Sequence, residues 1–155
     1  MKKETAKKLL EDIGKKYSIP ARELDREIEL VDLFVKKRES PEFPLRAIRR
    51  RLADFYSLWL NYLHSVIFPN PQSIILTKES EVFDEKGKEE IYGIIAVLAK
   101  FTRESVLLEV KRDESREADF INESFGKYRS LKKSIEQIVK KNVELWKKES
   151  EKNNG

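Results

Sequence analysis

The chain has 155 residues, enough for one domain with a sizeable core. Its hydrophobic fraction of 39% and aromatic fraction of 10% exclude a disordered chain. Charged residues also make up 39%, and the net charge of +4 permits anionic partners without requiring them. Ordinary globular proteins have roughly 25% charged residues. The excess here is mostly Lys and Glu, a composition typical of proteins from heat-adapted organisms.

Cysteine is absent, so the chain can form neither a disulfide nor a thiolate metal site, and we expect a cytoplasmic protein. The N-terminus lacks the apolar run of a signal peptide, and the longest apolar windows, 58–68 and 91–101, are too short to cross a bilayer. We therefore expect no membrane partner. His64 is the only histidine and no glycine-rich phosphate loop occurs, so we expect a non-enzymatic protein without cofactor or metal.

Two helices are predicted before residue 40. The first covers residues 3–17, where apolar side chains share one face. The second starts at Pro20, a residue suited to the first turn of a helix, and ends near Glu39. The sequence SPEFP at 40–44 stops this helix and starts the next, because proline cannot continue a helix and restricts the residue before it.

Residues 9–28 resemble a helix-turn-helix motif. Gly14 takes the small position of the first helix, Ser18 lies in the turn, and Leu24 takes the packing position of the second helix. In that arrangement the second helix would enter a major groove of DNA. Its acidic character opposes an approach to phosphates, and an ordinary helical hairpin explains the same residues. Residues 1–40 therefore have two interpretations.

A wide apolar face predicts a long central helix over residues 44–68. The apolar positions alternate in steps of three and four, which keeps one side of a helix apolar for six turns. A second apolar row widens this side, so we expect the helix to pack against several others, with Tyr56, Trp59 and Tyr62 in the core. The main row consists of Leu45, Ile48, Leu52, Phe55, Trp59, Tyr62 and Val66.

The middle of the chain is less clear. The sequence PNPQ at 69–72 is a connector, and residues 73–83 fit a short strand or a loop. We favour a loop that includes a helical turn, because no partner strand is nearby. A buried helix is predicted from 89 to about 111, although 106–110 also fit a strand.

The C-terminal part, residues 114–150, is predicted to form one long helix or two in tandem, with a kink at Gly126. Residues 151–155 are predicted to be a disordered tail. These elements predict an all-α fold, a bundle of about five helices with a long central and a long C-terminal helix, in a single domain over residues 1–150.

The start of the central helix is rich in arginine. The helix macrodipole disfavours cations at this end, so an anion should compensate them. Arginine suits the bidentate binding of phosphate or carboxylate groups, and the sequence therefore predicts guanidinium groups in solvent, ready for a phosphate backbone. The alternative is pairing within the chain, with acids of the second helix or of residues 79–90. The cluster comprises Arg46, Arg49, Arg50 and Arg51.

Four lysines are predicted as auxiliary phosphate contacts: Lys15, Lys16, Lys36 and Lys37. With the arginines, they predict a binding or adaptor module, an accessory subunit whose leading ligand class is DNA or RNA. The alternative function is a protein-binding or homo-oligomerising bundle without nucleic acid. Its interface would be the apolar stripe at 121–146, which is long enough to pair with a second copy.

One acidic set has the spacing of a cation site. Glu109, Asp113 and Glu117 are four residues apart and could present carboxylates to Mg²⁺ on a continuous helix. The same spacing is that of a solvated helix face whose acids pair with Lys or Arg, and we favour this interpretation.

Overall fold

The computed structural model describes residues 1–36 and 42–152. Within these ranges the fold is all-α, a helical bundle with a long central and a long C-terminal helix, as the sequence predicts. Seven helices are present there, two more than predicted. Their bounds are α1 Lys3–Tyr17, α2 Ala21–Ile28, α3 Leu30–Lys36, α4 Pro44–Ile67, α5 Ile74–Glu81, α6 Glu85–Val110 and α7 Glu114–Lys152.

The chain divides into two compact units. Unit 1 comprises Met1–Tyr56 and Phe101–Gly126, and unit 2 comprises Ser57–Lys100 and Lys127–Gly155. Helices α4, α6 and α7 contribute residues to both units. The single domain predicted over 1–150 stays a prediction, because compactness does not show whether either unit folds alone.

The turn between α1 and α2 is tight and explains the glycine before it. Ser18 adopts a left-handed conformation with φ 54°, and the Ile19 N–H donates to the Gly14 carbonyl at 3.1 Å. A Cβ at Gly14 would lie 3.0 Å from the Ile19 carbonyl oxygen and 3.1 Å from the Ala21 Cβ. The small position predicted at Gly14 thus has a steric cause, while DNA reading by α2 stays a prediction.

The predicted second helix is two helices. Glu29 has φ 54°, the left-handed conformation that ends a helix, and it separates α2 from α3. The Asp25 carboxylate accepts a hydrogen bond from the Val31 N–H at 2.7 Å, which provides a partner for a donor at the start of α3. The prediction of one helix was wrong because periodicity carries no signal for a break that leaves the apolar spacing intact.

The loop predicted at 73–83 is also wrong, since α5 occupies most of it. The Ser73 hydroxyl accepts a hydrogen bond from the Leu76 N–H at 3.2 Å and so acts as the N-cap of this helix. Ile74 and Ile75, which suggested a strand, are exposed on α5. Serine directly before an apolar run was the missed start signal.

The two C-terminal helices are longer than predicted. Helix α6 begins at Glu85, where the Asp84 carboxylate accepts from the Gly87 N–H at 2.7 Å, and it includes 106–110 as helix. Helix α7 continues through Gly126 to Lys152, so residues 151 and 152 are helical. The remaining predicted tail, 153–155, lies outside the described residues.

Of the three aromatic residues of α4 predicted to lie in the core, Tyr56 is buried, whereas Trp59 and Tyr62 are only half-buried. In unit 1 the buried Tyr56 hydroxyl donates to Ser124 Oγ at 2.9 Å, and its ring lies 5.8 Å from that of Phe101. In unit 2 Tyr62 is half-buried and its hydroxyl accepts from Asn142 Nδ2 at 2.5 Å. Trp59 is half-buried beside it, with the two rings 6.2 Å apart.

Two glycine substitutions test the tight turn. Gly14→Ala should lower the melting temperature, because its Cβ would press on the Ile19 carbonyl and cost about 1–3 kcal/mol. Gly93→Ala on α6 should raise the melting temperature, because it adds about 0.5–1 kcal/mol to the free energy of unfolding and nothing lies within 4 Å of the added Cβ. Thermal unfolding followed by circular dichroism measures both. Equal gains for the two variants would contradict the packing at Gly14.

Candidate functional site

The arginine cluster, Arg46, Arg49, Arg50 and Arg51, begins α4 inside unit 1. Arg49 is its central member and is completely buried. Its Nη1 donates to the Ser105 carbonyl at 2.9 Å and to Ser105 Oγ at 2.7 Å, its Nη2 to Glu109 Oε1 at 2.7 Å, and its Nε to Glu117 Oε1 at 3.2 Å. Ser105 and Glu117 are also buried. The guanidinium charge is therefore neutralised inside the fold.

Arg50 holds the outer side of the same network. Its Nε and Nη2 donate to the two Glu109 carboxylate oxygens at 2.6 and 2.9 Å, a bidentate pair. The hydrogen bond from Arg50 and then that from Arg49 lower the pKa of Glu109 to about 2. Half of the Arg50 side chain remains exposed, so this pair is partly screened by solvent.

The two remaining arginines have structural contacts as well. Arg51 Nε donates to the Ile28 carbonyl at 3.1 Å, which satisfies an acceptor in the last turn of α2. The Arg46 guanidinium lies 4.6 Å from the centre of the Phe43 ring, a cation–π contact. Its Nε is buried and has no hydrogen-bond partner among the residues that the structure describes.

The prediction that these guanidinium groups remain in solvent is wrong for Arg49, and Arg50 and Arg51 are engaged by the fold. For Arg49 the predicted internal partners were also wrong, because its acids come from neither the second helix nor 79–90. They are Glu109 and Glu117, whose spacing also fitted a solvated face on one continuous helix. The helix breaks at 111–113, so Glu109 ends α6 and Glu117 begins α7.

Three of the four lysines predicted as auxiliary contacts lie in the described ranges, where all three are exposed and two have contacts within the chain. Lys16 Nζ lies 5.0 Å above the Tyr17 ring, and a hydrogen bond with Tyr17 raises the pKa of Lys16. Lys36 pairs with Asp32 at 3.4 Å, and Lys15 is exposed. Lys37 lies outside the described residues. A role of these lysines in nucleic-acid binding stays a prediction.

A second basic surface, on α7 in unit 2, was not among the predicted site residues. Between Lys127 and Lys152 the chain has nine basic and four acidic side chains, an excess of nine minus four, or +5. All nine are exposed. We call them the basic face of α7: Lys127, Arg129, Lys132, Lys133, Lys140, Lys141, Lys147, Lys148 and Lys152.

The signal for this face is a recurrence of lysine every seven residues. Lys133, Lys140 and Lys147 are two helical turns apart and drift by only about 20° per step. A charge count over 116–155 dilutes the signal, because that window includes Glu117 and its acidic neighbours. A window matched to the exposed side of one helix would have found it.

Much of the predicted oligomer interface at 121–146 is buried within the chain. Six of its residues have at most 9% of their surface exposed: Ile121, Phe125, Tyr128, Ile135, Ile138 and Asn142. Leu131, Leu145 and Trp146 are half-buried, and Val143 is 58% exposed. An interface with a second copy of the chain therefore stays a prediction.

Unit 2 also contains a groove of about 440 Å³, which we call the α6–α7 groove. One wall is α6 from Gly87 to Val97, and the other is α7 from Lys127 to Lys141. Phe83 closes one end, where Lys141 Nζ lies 5.4 Å from the centre of its ring. No sequence motif marked this groove, because its walls are far apart in the chain.

Three further findings concern metal binding, His64 and membrane-spanning helices. Within 1–36 and 42–152, no three His, Asp or Glu side chains are grouped so that they could hold a metal ion. The His64 ring lies 5.1 Å from the ring of Phe68. No helix in the described ranges has the combination of length and apolar character needed to span a bilayer.

Comparison with protein-family models, with curated protein sequences and with solved structures finds no match for this chain.

The buried network makes a clear stability prediction. Arg49→Ala should reduce the free energy of unfolding by about 3–5 kcal/mol, because it leaves the buried Glu117 carboxylate without its partner. Arg50→Ala, at a half-exposed pair, should cost no more than about 1 kcal/mol. Urea unfolding measures both. The pair Arg49→Met with Glu117→Leu should recover most of the loss, and equal losses for the two single variants would contradict the burial of Arg49.

A pH prediction follows from Glu109. The pKa of Glu109 is about 2 in the folded protein against an ordinary 4.5. Its contribution to the free energy of unfolding is therefore present above pH 4.5 and is lost as the pH falls towards 2. Glu109→Gln should lower stability at pH 7 and flatten the decline between pH 5 and 2. The exposed Glu144→Gln is the control and should follow the native protein. A Glu109→Gln curve parallel to the native one would show that the carboxylate is not held by the arginines.

Proposed function

We propose that this protein is a non-enzymatic binding module for nucleic acid and that the basic face of α7 contacts the phosphates. The observation that carries the proposal is the excess of +5 on the exposed side of this helix. The arginine cluster, by contrast, contributes most of its charge to contacts within unit 1. The phosphate-binding role predicted for Arg49 is therefore reassigned to lysines.

The geometry of the basic face suits a phosphate backbone. From Lys127 to Lys152 a helix rises about 38 Å, so the cations extend along most of α7. Lys133, Lys140 and Lys147 follow each other at about 10.5 Å on nearly the same side. A row of flexible ammonium groups neutralises phosphates without reading bases, which gives binding that is independent of sequence and sensitive to salt.

Ion pairs on the same helix do not cancel this charge. Lys140 pairs with Glu136 at 3.3 Å, and Lys152 pairs with Glu149 at 3.1 Å. Lys140, Glu136 and Lys152 are largely exposed in these pairs, where water and salt screen the attraction and phosphate oxygens can compete for the cation. Lys133, Lys147 and Lys148 make no ion pair in the part of the chain that the structure describes.

A salt titration tests the proposal. The triple variant Lys133→Ala, Lys147→Ala and Lys148→Ala should bind duplex DNA and single-stranded RNA more weakly. The slope of log affinity against log salt should fall by about 2–3, roughly 0.9 for each lost phosphate contact. Fluorescence anisotropy with labelled oligonucleotides between about 50 and 200 mM salt measures the slope.

The matched control removes three predicted lysines from unit 1: Lys15→Ala, Lys16→Ala and Lys36→Ala. It changes the net charge equally and should leave the slope near that of the native protein. No binding at the lowest salt would contradict the proposed ligand. A slope that falls only in the control would contradict the assignment to α7.

A further inference from the structure

The α6–α7 groove contains a glycine that the fold itself does not need. Gly93 lies inside α6, where glycine is a poorer helix former than alanine. Its conformation is an ordinary helical one, it is exposed, and nothing lies within 4 Å of the position that a Cβ would occupy. Neither backbone geometry nor internal packing accounts for it. What the missing side chain does provide is space in the groove wall and access to the backbone of α6.

The groove is elongated. Its lining extends along α6 from Gly87 to Val97 and along α7 from Lys127 to Lys141, rises of about 15 and 21 Å. The apolar side chains of Ile94, Val97 and Leu131 line it. A long, partly apolar groove between two helices matches a third helix better than a compact small molecule. It is also unsuited to a phosphate backbone, which has no apolar row for such a lining.

The charged residues of the groove walls indicate which charges the occupant has. Lys127 and Lys141 lie on the α7 wall two heptads apart, and neither forms an ion pair among the described residues. The Lys141 ammonium is held above the Phe83 ring, so it is already positioned at the rim. Glu90 on the α6 wall is the acidic group of the lining. An occupant with carboxylates towards α7 and a basic side chain towards α6 would match both walls.

We propose that the α6–α7 groove binds an acidic amphipathic helix of a partner protein. The apolar side of that helix packs on the groove lining and approaches α6 closely at Gly93. Its carboxylates pair with Lys127 and Lys141, about 21 Å apart along the helix. This site shares Lys127 and Lys141 with the basic face of α7, but it does not use Lys133, Lys147 or Lys148, the lysines removed in the DNA test.

Two synthetic peptides of about fourteen residues serve as probes. Both have the same leucine row, and one has glutamates where the other has lysines along the flank that faces α7. Fluorescence anisotropy with the full chain should show that the glutamate peptide binds at least about tenfold more tightly. Lys127→Glu combined with Lys141→Glu should reverse this preference. Equal affinity for the two peptides, or no binding of either, would overturn the proposal.

Gly93→Leu fills the groove and supplies the decisive variant. It should weaken the glutamate peptide by about tenfold or more while leaving the melting temperature unchanged or higher. Gly126→Leu is the matched control, since Gly126 is an exposed helical glycine with open space around it and is not part of the groove. It should leave peptide binding unchanged. Native affinity in Gly93→Leu would overturn the proposal.

Two further measurements distinguish a partner helix in the groove from DNA and from a second copy of the chain. DNA affinity should be unchanged in Gly93→Leu, so failure of the peptide site and failure of the proposed function give different results. Light scattering over a dilution series should show no dimer that depends on the groove. A dimer that Gly93→Leu abolishes would place a second copy of the chain there and overturn the assignment to a partner helix.

Discussion

A guanidinium group without access to water must find its hydrogen-bond partners inside the protein. Arg49 is such a group, and Ser105, Glu109 and Glu117 supply those partners in unit 1. Ser105 and Glu109 come from the end of α6, and Glu117 from the start of α7. The network therefore fixes the position of α4 against both helices at the point where the chain passes from one to the other. Removing one partner of a buried ion pair is costly, because the other charge is then left buried and unpaired.

Periodicity predicted the fold well wherever a helix has one apolar side. Helix α1 has the predicted bounds, and the central helix differs by one residue at its end. Periodicity failed where a local backbone feature decides where a helix begins or ends. The left-handed Glu29 divides one apolar pattern between two helices, and the Ser73 cap turns an apparent loop into α5. Such features depend on single residues that a window of apolar positions averages away.

The arginine cluster was harder to predict, because the spacing of charged residues does not distinguish a buried cation from an exposed one. Arg49 and Arg50 are neighbours in sequence and both bind Glu109, yet one is fully buried and the other half-exposed. The acids that neutralise them are about sixty residues away in the chain. The basic face of α7 was visible in the sequence as lysines seven residues apart. The α6–α7 groove was not, because it exists only when two distant segments are brought together.

The arginine cluster is engaged within the fold, and we propose that α7 binds the anionic ligand instead. A residue-by-residue NMR titration of the ¹⁵N-labelled chain with a short DNA duplex tests this assignment. Resonances of the amides and side chains of Lys133, Lys140 and Lys147 should shift, while the Arg49 guanidinium resonance should not. Shifts centred on Arg46 to Arg51, with none along α7, would show that the assignment is wrong.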